Sequence, residues 1–108
     1  MNESDFDRLA EAVMLAIEEA IDASGADIDY DSAGGILTLE FDDGSQIIVN
    51  KQAPLSQIWV AARSGGFHFD YDAASDSWRL EGGERNLFDC LSQYCSEQAG
   101  EAVSLQGP

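Results

Sequence analysis

Basic residues are scarce in this chain. Five Lys and Arg stand against 21 Asp and Glu, a formal net charge of −16. Such a surface repels phosphate backbones and anionic headgroups, so neither nucleic acid nor membrane is an expected partner. It favours cations and basic proteins instead. Histidine is nearly missing as well: His68, in "FHFDY", is the only one, and a satisfied structural role suits it better than metal binding or catalysis. No G-x-S-x-G, P-loop or dinucleotide fingerprint is present, so no enzyme is expected. No run of eighteen apolar residues exists to make a transmembrane helix. The opening "MNESDFDRLAEAV" is acidic where a secretory signal would be basic, and a cytoplasmic location is the expectation. There are two cysteines, Cys90 and Cys95, spaced neither as a redox C-x-x-C nor as a zinc knuckle. On a helix an offset of five turns them about 140° apart, too far to pair. Two reduced thiols flanking the core fit a reducing compartment.

What is present is a chain of 108 residues, 44% hydrophobic, which is one domain (1–108) with enough apolar content for a core. From Ser4 to Ser24 the apolar residues Phe6, Leu9, Val13, Ile17 and Ile21 recur at threes and fours, predicting a helix with Ser4 as its cap and Gly25 as its end. The period then changes to two. Strands are predicted over 27–31, 36–41, 46–50, 57–62, 67–71 and 77–80, with "GG" (34–35), "DDGS" (42–45), "KQAP", "RSGG" and "DAASD" as the breaks. The helical period returns over 84–99, with Leu87, Leu91, Tyr94 and Gln98 near one line, and Val103 and Leu105 can fold back in the tail. The order helix, meander, helix predicts an α+β fold. Two terminal helices pack on one face of a five- to six-stranded antiparallel sheet, a two-layer α-β-α sandwich whose other face is left partly open.

The acids are not spread evenly, as salt adaptation alone would spread them. Residues 1–31 hold ten acids and one base, Arg8, whereas the other 77 residues hold eleven acids and four bases. At 100° per residue, Asp7, Glu18, Glu11 and Asp22 fall within about 60° of one another on the first helix, with Glu19 on the shoulder. No i,i+4 base relieves them. "DIDYD" then sets Asp27, Asp29 and Asp31 at every second position, on one side of a strand. If that strand lies at the sheet edge beside the helix, the two rows make one ridge. Carboxylates without His or Cys suit hard cations such as Fe2+, Mn2+, Ca2+ and Mg2+, and not zinc. The same field steers a basic partner. A second cluster is polar and uncharged: Asn50, Gln52 and Gln57 surround Pro54, with Trp59 following. By parity Gln57 and Trp59 share one sheet face while Ile58 and Val60 face the core. A Trp among hydrogen-bonding neighbours on an open face resembles a protein-binding hot spot.

"GSQIIVNKQAPLSQIWVAARSGGFHFDY" (44–71) resembles the signature region of the frataxin family in its bacterial form, through "IIVN-K-Q-x-P", "Q-x-W" and "GG-x-H-F-D". "SDFDRLAE", "IEEAID" and "GGILTLEF" extend the likeness over nearly the whole chain, and the final helix matches loosely. The resemblance implies an α-β-α sandwich and an iron-binding protein of iron–sulfur cluster assembly, an iron donor or sensor that regulates the cysteine desulfurase. It implies weak surface contacts with Fe2+ or Fe3+ at Glu18, Glu19, Asp22, Asp27, Asp29 and Asp31. It also implies docking of the acidic ridge on the desulfurase and a sheet contact with the scaffold protein through Trp59. A monomer without iron and an iron-dependent oligomer are the expected states. The stretch "ASGA" after Asp22 departs from the family, where many bacterial members are more acidic and slightly longer. The alternative is a metal-independent acidic module that inhibits or masks a basic protein; it needs charge, but no "NKQAP…QIW".

Overall fold

Buried side chains come from every second residue of the strands and every third or fourth of the helices, and they meet in one cluster of 24 residues. The computed structural model describes residues 1–108. Helix α1 (Glu3–Ser24) is followed by strands β1 (Asp29–Ala33), β2 (Ile36–Glu40), β3 (Gln46–Gln52), β4 (Gln57–Ala62), β5 (Gly65–Asp72) and β6 (Ser77–Leu80), and by helix α2 (Leu87–Ala99). The strands form one six-stranded antiparallel meander in chain order, so β1 and β6 are the edges. Leu37, Leu39, Ile47, Val49, Ile58, Val60 and Phe69 are buried on one face, beneath Phe6, Ile17 and Ile21 of α1 and Leu87 and Leu91 of α2. Phe6 meets Trp78 of β6 edge to face, with ring centroids 6.0 Å apart. The predicted architecture stands, with all six strands present.

The boundaries differ for local reasons. The cap of α1 is Asn2, whose Oδ1 accepts the Asp5 N–H at 2.7 Å, so the helix opens at Glu3 and Ser4 lies inside it. The first strand begins at Asp29, not Asp27, because the Ile28 N–H turns back to the Ala26 carbonyl. β3 runs on through Lys51 and Gln52, which pair with Ile58 and Gln57. Pro54 therefore sits in a 3-10 turn (Ala53–Leu55) past the strand, where it lacks no ladder bond. α2 begins at Leu87 and not at 84, since the Asn86 side chain accepts the Asp89 N–H at 2.9 Å and caps it there.

Two polar groups of α2 tie the fold together. Gln98 is buried, accepting the Arg63 N–H at 3.0 Å and donating to Ser45 Oγ at 2.9 Å and to the Gln46 carbonyl at 3.2 Å. It thereby fastens the β2–β3 and β4–β5 turns to the last helix. Ser96 and Ser92, one turn apart, accept the N–H groups of Val103 (2.8 Å) and Leu105 (2.9 Å). The tail folds back as a strap, burying Val103 and Leu105. Cys90 and Cys95 are free and buried, and burial pushes the Cys95 thiol up to about 12, so neither is a poised nucleophile.

Candidate functional site

The outward face of α1 is acidic along its length, but its two halves differ. Lys51 of β3 reaches across to place its Nζ 3.4 Å from Asp7 Oδ1 and 3.7 Å from Glu11 Oε1. The expectation of a stripe without any relieving base therefore fails at its amino-terminal half. The partner comes from 44 residues away, where helical spacing cannot show it. The carboxy-terminal half has no such partner. The ion pairs of the chain join Arg8 to Asp5, Lys51 to Asp7 and Glu11, Arg63 to Asp43 and Arg79 to Asp72, while the imidazole of His68 lies beside Glu81. None touches Glu18, Glu19, Asp22, Asp29 or Asp31. Asp22 Oδ2 instead accepts the Tyr30 hydroxyl at 2.8 Å. That hydrogen bond, then burial, then the charges of Asp22 and Glu18 raise the Tyr30 pKa above its ordinary value.

The "DIDYD" row does not continue the helix stripe on one face. Asp29 and Asp31 pair with Glu40 and Thr38, whose neighbours Leu39 and Leu37 are buried. Both carboxylates thus lie on the open side of the sheet, while Tyr30 points toward α1. Asp27 has left the strand and lies beside Asp42 of the β2–β3 turn. The hydrogen bond with Asp27, and then its charge, raise the Asp42 pKa. The acidic surface therefore wraps round edge strand β1, with Glu18, Glu19 and Asp22 on one side and Asp29, Asp31 and Glu40 on the other. No three His, Cys, Asp or Glu side chains converge as a metal-holding set. A cation here would meet one or two carboxylates and keep much of its water.

The open face carries the second surface. Asn50, Trp59 and His68 are opposed across β3, β4 and β5, and Gln52 is opposed to Gln57. The indole of Trp59 stacks on the His68 ring at 4.3 Å, 12° from parallel. Its Nε1–H donates to Gln57 Oε1 at 2.8 Å. The Gln57 amide in turn donates to Asp70 Oδ1 (3.1 Å) and Glu81 Oε1 (3.2 Å), and Glu81 Oε2 lies 3.3 Å from His68 Nδ1. Parity is as the alternation predicts, but Gln57 is only 7% exposed. It acts through Trp59 and has little surface of its own. The indole is thus held in place by contacts within the chain, through both its ring face and its N–H. Two apolar residues escaped the sequence reading: Ile36 (44% exposed) and Ile48 (37% exposed). Ile36 pairs with Asn50 in the row of Trp59, and Ile48 with Ala61, adding apolar surface between Trp59 and the acidic edge at β1. The alternation of "ILTLEF" and "QIIVN" already placed them opposite the core, which was the available signal.

The family model for the frataxin-like domain matches residues 1–101. This chain belongs to the frataxin family. It is 50% identical over 107 residues to the iron-sulfur cluster assembly protein CyaY of Pseudomonas aeruginosa, covering 99% of each chain. To the protein of the same name from Vibrio parahaemolyticus it is 48% identical over 103 residues, covering 95% of this chain and 97% of the other. Among solved structures, frataxin from Psychromonas ingrahamii superposes with a TM-score of 0.89 at 39% identity, covering 98% of this chain and 99% of that one. Trimeric frataxin from the yeast Saccharomyces cerevisiae, solved as a complex with ferrous iron, gives a TM-score of 0.65 at 26% identity, covering 94% and 88%. The six-stranded sheet with two helices on one face is thus the frataxin fold. No helix is long and apolar enough to cross a membrane.

Proposed function

We propose that this frataxin-family chain is a non-enzymatic, iron-binding accessory of iron–sulfur cluster assembly that works in the cytoplasm. Its acidic ridge carries iron weakly and docks on the basic cysteine desulfurase, whose activity it regulates. Its Trp59 face meets the scaffold protein. The cation contacts are Glu18, Glu19, Asp22, Asp29 and Asp31, with Asp27, Asp7 and Glu11 as the flanks. Asn50 and Gln52 border the Trp59 contact. The observation that carries this reading is the imbalance in ion pairing: every base of the chain is engaged elsewhere, and these five carboxylates have none. The name shared by the bacterial relatives and the ferrous complex of the yeast relative support it. The chain is a monomer without iron, and ridge neutralisation by iron favours self-association.

The test separates the two surfaces. Reversing Glu18, Glu19 and Asp22 to Lys should abolish desulfurase binding at low salt, since exposed charge contacts govern association and fade with ionic strength. Trp59→Ala should leave that binding in place and weaken the ternary assembly with the scaffold by about 2 kcal/mol or more, as expected for a buried aromatic anchor. Unchanged desulfurase binding by the charge-reversed protein would sink the ridge reading. One observation favours the second reading, a metal-independent acidic module: no three ligands converge anywhere. Desulfurase binding and regulation identical with and without iron would select it.

A further inference from the structure

We propose that Lys51 is a tethered cation that competes with metal ions for the amino-terminal half of the α1 stripe and leaves the carboxy-terminal half without such a competitor. The proposal rests on the ridge being the cation-binding surface. Lys51 is the only lysine in the chain. In β3 it pairs with Ile58, which puts its side chain on the helix side of the sheet. The side chain is only 25% exposed, and its Nζ lies between Asp7 and Glu11, at 3.4 and 3.7 Å.

The stem is guided there by the β1–β2 turn. A Cβ at Gly35, where φ is +79°, would fall 2.8 Å from Lys51 Cε, so a side chain at that position would push the lysine stem aside. Beside it a hollow of about 280 Å3 is lined by Glu11, Met14, Leu15, Glu18, Ser32, Gly35 and Lys51. That hollow is the boundary: Lys51 closes its amino-terminal side, and Glu18 borders the other with no base against it. An ammonium and a hard divalent ion compete for the same carboxylate oxygens. The lysine is covalently attached and so always present at high local concentration, whereas a metal ion must be supplied. Glu11 and Glu18 are seven residues apart, about 10 Å along the axis. Lys51 Nζ is in ion-pair range of Asp7 and Glu11 and not of Glu18, two turns further on, so its effect falls chiefly on the amino-terminal pair.

The experiment uses Mn2+ as a redox-stable paramagnetic probe and follows backbone amide broadening. In the parent protein, broadening should begin around Glu18, Glu19 and Asp22, with Asp7 and Glu11 following only at higher Mn2+. Lys51→Met keeps the stem and removes the charge; it should bring Asp7 and Glu11 in at least about twofold lower Mn2+, the scale of one partly exposed ion pair. Lys51→Arg should behave as the parent does. Arg63→Gln, with the same change in net charge away from α1, should show no such local gain. Lys51→Gln serves if the Met variant fails to fold. Equal broadening of the two halves in the parent, or a Lys51→Met map matching that of Arg63→Gln, overturns the proposal while leaving the ridge intact. Broadening that avoids α1 in every variant overturns the ridge reading and this proposal with it.

Discussion

The carboxy-terminal strap is a sharp test of the packing described above. Leu105 is only 3% exposed, and its N–H is held by Ser92 Oγ at 2.9 Å. Truncating a buried Leu to Ala costs about 2–5 kcal/mol. The lower end applies, because a terminal segment can shift into the space that a rigid core would leave as a cavity. We expect Leu105→Ala to lose about 2 kcal/mol, a large share of the roughly 5–15 kcal/mol that holds a small domain folded. With a urea m-value of about 1–2 kcal/mol/M, the midpoint falls by about 1 M or more. Ser92→Ala removes the acceptor for the Leu105 N–H and should cost about 1–2 kcal/mol. Both changes loosen one strap, so the double variant should lose less than the sum of the two, with a coupling of at least about 0.5 kcal/mol. Urea unfolding followed by circular dichroism reads all three. Full additivity, or a Leu105→Ala cost under about 0.5 kcal/mol, would refute the docked strap, since a surface change costs no more than that.

Two further outcomes are expected. Asp42 has its pKa raised by Asp27, so its ionised form opposes folding; that penalty is fully present above the raised pKa and vanishes below the ordinary 3.8. Asp42→Asn should therefore raise the melting temperature at pH 7, with the gain shrinking to nothing as pH falls through that window, and a gain independent of pH would refute the pairing. Gln57→Leu takes the acceptor from the Trp59 indole while keeping a similar volume. It should free the indole, red-shift its emission and increase iodide quenching, whereas an unchanged spectrum would mean that stacking on His68 alone holds the ring.

Both helices and all six strands follow from periods of 3.6 and 2, because the side of an element that a residue occupies is a local geometric property, and the antiparallel order follows from the short turns between the strands. The same alternation set Trp59 and Gln57 on the face opposite Ile58 and Val60, and the "NKQAP…QIW" stretch pointed to the family. Element ends were less legible, because caps are single side-chain hydrogen bonds: Asn2 outcompetes Ser4, and Asn86 delays α2 to Leu87. Tertiary structure alone decided the character of the ridge. Asp7 and Glu11 share the stripe with Glu18 and Asp22 by every local measure, yet only the first pair receives Lys51, from a strand 44 residues away from Asp7. Asp27 shares the alternation with Asp29 and Asp31, yet a turn at Ala26 releases it to face Asp42. The helix period cannot say which strand will pass beneath it, nor the strand period which turn will stand beside its end. Those are long-range contacts fixed only when the core closes, and they determine which carboxylates keep their charge free.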